Sequence, residues 1–160
     1  MLIKKSDFEV YADYHQFYLE DENASREVEN MWSEEEFKRM LGAKKDYIYV
    51  GTARYETVPV IVEIHDSAPV LEIEKYSRIN ECSLRIKSEK LVLSGCTEYW
   101  PDAPRIEIEP AIYRVRILYG NLETVKDDWE GDDFYILQLW KDDEYRGIEE
   151  IKREKSPNLP

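Results

Sequence analysis

The sequence predicts a mainly β fold: an antiparallel β-sandwich, jelly-roll-like, carrying one short helix. Three observations predict it. Eight short segments read as strands, and Arg105–Tyr119 shows it best, its side chains alternating faces with a period of two on either side of a short break. Turn-forming residues separate these segments, and no long helical segment alternates with them, which counts against parallel βαβ units. Tyr and Trp, at 12 and 4, are enriched, and aromatic side chains favour pleated, half-buried surfaces. A chain of 160 residues can bury a proper core, so residues 1–153 are read as one sandwich domain and 154–160 as a flexible tail.

The first strand runs from Phe8 to Glu20. Phe8, Val10, Ala12 and Tyr14 share one face, then Phe17 and Leu19 take the other parity. Such a shift marks either a bulge near His15-Gln16 or a strand passing between two sheets. Glu20 to Glu29 is a polar loop. A helix follows over Glu34–Leu41, with Ser33 as N-cap, Glu36 completing a capping box and Trp32–Phe37 placed as a hydrophobic staple. Glu34, Glu35 and Glu36 suit the positive end of the helix dipole, and Gly42 is the expected stop.

Tyr47–Ala53 and Pro59–His65 are strands, Pro59 being able to open a strand but not to sit in its middle. Asn80–Ile86 and Lys90–Ser94 read as a hairpin about Lys87-Ser88-Glu89. Pairing Ile86 with Val92 would set Cys82 opposite Cys96, whereas pairing Ile86 with Leu91 matches the apolar partners better. Arg105–Glu109 and Ile112–Tyr119, across a break at Pro110-Ala111, read as a second hairpin and as the central ladder. Asp133–Trp140 is the eighth strand, and Asp143–Lys152 is either a short helix or an irregular edge.

The balance of 35 acidic against 22 basic side chains leaves a net charge of −13. That charge repels nucleic acid and anionic membranes and attracts basic partners, besides keeping a surface solvated. No stretch approaches the roughly 20 apolar residues of a membrane span. The N-terminal MLIKKSDFEV lacks the apolar core of a signal peptide, so the expected compartment is the cytoplasm, with Cys82 and Cys96 reduced and inert.

His15 and His65, with Asp13 and Asp66 nearby, could hold a metal if they met, but their spacing matches no ligand motif, and two unrelated strand-end histidines are the preferred reading. No metal or other cofactor and no catalytic group is expected, since neither a Gly-rich phosphate loop nor a Gly-x-Ser-x-Gly motif occurs. Trp140 ends an apolar strand and belongs to the core. Trp100 and Trp129 sit among polar loop residues and are candidates for a contact surface. Trp129 is surrounded by Asp127, Asp128, Glu130, Asp132 and Asp133. This loop is either a solubilising turn or an aromatic anchor inside an acidic rim.

With Tyr14-His15-Gln16-Phe17 in the first strand and a strand-Pro-turn-Tyr-strand pattern from Ile106 to Ile117, the chain resembles the ComJ family. These are small bacterial proteins, the best known of which inhibits the DNA-entry nuclease of competence. The chain departs from the family in having Ala111 where a glycine-bearing turn is expected, and in its acidic insertions. The resemblance implies stoichiometric binding of a protein, without turnover. The leading expectation is therefore an inhibitor-like or immunity-like protein that neutralises a basic nuclease or toxin. A metal- or small-ligand-binding jelly-roll protein or enzyme is the alternative, and a structural domain of a larger assembly is a third.

Overall fold

The computed structural model describes residues 1–26 and 32–154. Among the described residues the elements are β1 (Leu2–Tyr11), β2 (Gln16–Asp21), α1 (Glu34–Arg39), β3 (Leu41–Ala43), β4 (Tyr47–Gly51), β5 (Thr57–His65), β6 (Arg78–Ile86), β7 (Lys90–Gly95), β8 (Arg105–Glu107), β9 (Ala111–Gly120), β10 (Phe134–Lys141) and β11 (Glu149–Arg153). They form a six-stranded sheet in the order β1-β5-β10-β9-β6-β11 and a five-stranded sheet in the order β3-β4-β2-β7-β8. A mainly β, two-sheet protein with one short helix is what the period-two alternation predicts.

One apolar cluster fills the space between the sheets. Val58, Val60, Val62 and Ile64 of β5, Val115 and Ile117 of β9, and Leu137 and Leu139 of β10 meet Phe17 and Leu19 of β2 and Leu91 and Leu93 of β7 there. All of these pairings are antiparallel except β5 with β10, which run parallel with Val60 opposite Tyr135. Pro59 lies one residue before that parallel ladder begins, where its missing N–H removes no bond to β10.

Four times the chain leaves one sheet for the other. The change of parity near His15 is the first: β1 lies in the six-stranded sheet and β2 in the five-stranded sheet, joined by a 3-10 turn at Asp13–His15. The step from β4 to β5 is the second. The third and fourth correct the two expected hairpins. β6 pairs with β9 and β11, whereas β7 pairs with β2 and β8, so Lys87-Ser88-Glu89 is a corner between sheets. Buried Asp21 holds that corner, accepting from the Ser88 amide at 3.0 Å and the Lys87 amide at 3.3 Å. Neither hairpin register exists, and Cys82 of β6, opposite Val115 of β9, is not the cross-strand neighbour of Cys96. Likewise β8 pairs with β7 and β9 with β6 and β10, so Ile108-Glu109-Pro110 is another corner. β9 is nevertheless interior to its sheet, flanked on both sides.

The helix is capped as expected at its start, where Ser33 Oγ accepts from the Glu36 amide at 3.2 Å. The remainder differs from expectation. Glu36 turns away from the cap to accept from the Tyr49 hydroxyl at 2.5 Å, Trp32 packs on Tyr49 at 4.9 Å, and Phe37 stays 58% exposed. The helix stops at Met40, left-handed at φ 63°, and not at Gly42. Gly42 lies in β3, where a Cβ would come within 2.0 Å of the Tyr49 ring. Close approach, and not a helix cap, is what requires glycine there. The segment Asp143–Lys152 resolves as an edge, with β11 pairing to β6. Of the expected loop at 20–29, Glu20 and Asp21 belong to β2 and 27–29 lie outside the described residues; of the expected tail at 154–160, the Glu154 amide donates to Ser77 O at 3.2 Å and 155–160 lie outside the described residues.

Candidate functional site

Two of the four corners, at residues 12–15 and 52–56, come together at one end of the sandwich with the acidic loop 126–133. Backbone bonds fasten them: Ala12 N donates to Glu56 O at 2.9 Å, Thr52 N to His15 O at 2.9 Å, and Tyr55 N to Asp128 O at 2.9 Å. Beneath them runs a buried polar chain. Arg54 Nε reaches Asp133 Oδ1 at 2.5 Å, the Tyr135 hydroxyl donates to Asp133 Oδ2 at 2.6 Å, and the Ala53 amide donates to the Tyr135 oxygen at 2.8 Å. Arg54 also reaches the Trp129 carbonyl at 3.3 Å. Burial, and then the charge of Asp133, hold the Tyr135 phenol far above its usual range.

On this frame stands an exposed aromatic surface. Tyr55 is its hub, with ring centroids of Tyr14 at 5.5 Å, His15 at 5.8 Å, Trp129 at 6.0 Å and Tyr11 at 6.1 Å. Tyr11, Tyr14 and Trp129 are each more than half exposed, at 51%, 61% and 61%. Partial burial, then its tyrosine neighbours, raise the Tyr55 phenol. A cleft of about 450 Å³ adjoins the surface, walled by Tyr14, Trp32, Phe37 and Met40, with His15 and Asp128 beside it. His15 Nδ1 lies 3.2 Å from the Thr52 carbonyl, which accepts from it in the tautomer that carries the proton there. His15 Nε2 lies 3.3 Å from Asp128 Oδ1.

Backbone strain gathers at this cleft. Among the described residues five non-glycines have positive φ, and four of them, Tyr14, His15, Trp32 and Met40, line it. Bulky side chains in the left-handed region carry a conformational cost, and such residues concentrate where a structure serves a purpose beyond its own stability.

The structure divides the sequence-predicted residues. Asp127, Asp128, Glu130 and Asp132 are at this end with Trp129. Asp127 Oδ1 accepts from the amides of Trp129 and Glu130, both at 2.8 Å, and those bonds hold its carboxyl below the usual carboxylate range. Glu130 pairs with Lys126 at 3.4 Å, and the Asp132 amide donates to Thr124 Oγ1 at 2.9 Å. Asp133 is 1% exposed and belongs to the internal pair with Arg54, not to the surface. Trp100 is elsewhere: its Nε1 donates to Glu20 at 2.8 Å and Arg105 stacks on its ring at 4.2 Å. Tyr11, Tyr14, Tyr55 and Phe37 were not among the predicted contact residues. The broken parity near His15 is a sequence signal for Tyr11 and Tyr14, whereas Tyr55 and Phe37 join them only through the fold.

His15 and His65 do not meet. His65 ends β5 and lines a second cavity, at the opposite end of the sandwich, bounded by the other two corners. Among the described residues no group of three or more His, Cys, Asp or Glu side chains converges as metal ligands. Nor is any helix among them long and apolar enough to cross a membrane.

The geometry defines a two-sheet β protein with an aromatic end surface set among carboxylates. Solved structures with the same fold include ComJ, inhibitor of the DNA-degrading activity of NucA, from Bacillus subtilis. It matches with a TM-score of 0.65 at 13% identity, covering 88% of this chain and 97% of that one. Crocagin biosynthetic gene J matches with a TM-score of 0.59 at 16% identity, covering 86% of this chain and 97% of that one. At these identities the likeness is one of fold. No family model matches the sequence, and no curated protein does.

Proposed function

We propose that this protein is a cytosolic, non-catalytic binding protein, inhibitor-like or immunity-like, that covers the basic cleft of a nuclease or toxin. The observation that carries the reading is the end surface itself: exposed Tyr11, Tyr14 and Trp129 around Tyr55, rimmed by Asp127, Asp128, Glu130 and Asp132. Large aromatic anchors supply the contact area of binding hot spots, and a carboxylate rim steers a cationic partner into place. The net charge of −13 extends that field over the whole molecule and opposes binding to nucleic acid or anionic lipid. The ComJ fold supports the reading, ComJ being an inhibitor of a DNA-degrading protein.

The test is affinity capture from the source cell, followed by binding kinetics with the captured protein at two salt concentrations. Replacing Asp127, Asp128 and Asp132 with Asn is expected to slow association about tenfold at low salt and to flatten its salt dependence. Trp129→Ala is expected to act mainly on dissociation, speeding it by about tenfold or more. Folded variants that bind like the parent would remove this surface from the interface.

A further inference from the structure

We propose that the cleft beside Tyr14 receives an arginine side chain of the partner, held by Asp128 and stacked against the aromatic walls. This rests on the protein-binding reading above and names the group that the site takes. The cleft, at about 450 Å³, lies within the range of preformed ligand pockets. Its walls are flat rings: Tyr14 and Phe37 are 61% and 58% exposed, and Trp32 is fixed edge-on against Tyr49 at 4.9 Å, with its Nε1 donating to Gln16 at 2.9 Å. Trp32 thus presents a ring whose polar edge is already satisfied. Ring faces carry negative potential and attract cations.

A fixed negative charge accompanies the rings. The Asp128 side chain is 58% exposed, and the one side-chain nitrogen within ion-pairing distance of it among the described residues is His15 Nε2, 3.3 Å from a single carboxylate oxygen, a contact that is charged only when the imidazole is protonated. Rings plus one carboxylate exclude an anion and disfavour a neutral polar guest. Between the two protein cations, the planar guanidinium fits better: it stacks on flat rings and grips a carboxylate with two parallel N–H bonds, whereas ammonium is a compact, strongly hydrated charge. The main chain is committed to this shape in advance. The left-handed backbone at Tyr14 and His15, φ 57° and 58°, sets both side chains at the cleft without waiting for a guest. A basic nuclease surface supplies arginine as a matter of course.

The experiment is an amide NMR titration of the full chain with N-acetylarginine-N-methylamide, and with the lysine analogue in parallel. The arginine probe is expected to give saturable shifts at Tyr14, His15, Thr52 and Asp128, and to bind several-fold more tightly than the lysine probe. Asp128→Asn, an exposed and conservative change, is expected to weaken the arginine probe about tenfold. Phe37→Ala provides a second variant, on an exposed position of the helix, and is expected to weaken it severalfold. Shifts that do not saturate, or a probe that Asp128→Asn leaves untouched, would overturn the assignment. So would equal binding of the two probes. The outcome is separable from the wider reading. A bound arginine probe with no captured basic protein keeps the cleft assignment and removes the inhibitor reading. A captured basic protein that needs Trp129 but not Asp128 does the reverse.

Discussion

Five carboxylates within seven residues look interchangeable in the sequence, yet Asp133 differs in kind from its neighbours. Its side chain is fully buried against Arg54, whereas Asp128 is 58% exposed. Asp133→Asn leaves a buried guanidinium without its counter-charge, so it should cost about 3–5 kcal/mol of stability, read as a lower urea midpoint. Association with a partner should be unchanged in the molecules that stay folded. A lasting effect on association with no loss of stability would contradict this division. The burial was not legible because Arg54 lies 79 residues away in the chain. Tyr14 presents the opposite case, an exposed side chain on a strained backbone. Tyr14→Gly should hold or raise stability, by up to about 1 kcal/mol, because glycine adopts the left-handed region freely. Tyr14→Val should lower stability by about 1–2 kcal/mol, because a β-branched residue tolerates positive φ poorly. Equal stabilities of the two variants by denaturant titration would show that the backbone there is not strained.

Elements were legible where their signal is local. Ser33, the acidic first turn and the basic last turn place the helix within two residues of its observed end. Ser33→Ala removes one cap bond and should cost about 1 kcal/mol. Since α1 buries none of its own residues, its anchorage comes from Glu36 on Tyr49, from the turn at Met40, and from Arg78 and Asn80 of β6, which donate to the Lys38 and Arg39 carbonyls at 2.8 and 2.9 Å. Gly42→Ala pushes a methyl group into the Tyr49 ring and should cost about 1–3 kcal/mol, with Tyr49→Leu expected to relieve part of the clash. The two expected hairpins failed for a physical reason. A tight turn within a sheet and a corner between sheets both join two alternating strands through a few polar residues. Both also send Leu84, Ile86, Leu91 and Leu93 inward. What decides between them is the far partner, β9 for one arm and β2 for the other, and no local pattern encodes that.

At the scale of the whole molecule, the tyrosines set the response to alkali. Burial raises the phenols of Tyr18, Tyr49, Tyr119 and Tyr135, and pushes that of Tyr113 up to about 12. Burial likewise pushes the Cys82 thiol up to about 12. Each group is neutral when protonated, and in the unfolded chain a phenol ionises near 10. Below about pH 8 for the thiol and about pH 10 for the phenols both states keep the proton, so this stabilisation is fully present. Above these the unfolded chain releases protons that the native state holds, and stability falls. For the fully buried pair Tyr119 and Tyr135, that is roughly 1 kcal/mol each per pH unit. Absorbance at 295 nm should therefore show an early group of tyrosines titrating reversibly and a late group that titrates only as circular dichroism is lost. A single smooth titration of all 12 tyrosines would contradict the burial. The parallel pairing of β5 with β10 has a consequence for synthesis. Val60 meets Tyr135, a separation of roughly 75 residues, so at about 5–20 residues per second a ribosome makes the second strand some 4–15 s after the first. Until then β5 has β1 on one side and an open ladder on the other. The end surface needs segments 12–15, 52–56 and 126–133 together, so it forms only after the last of them has been made. A partner that docks there, as proposed above, would meet no binding surface until the third segment had joined the other two.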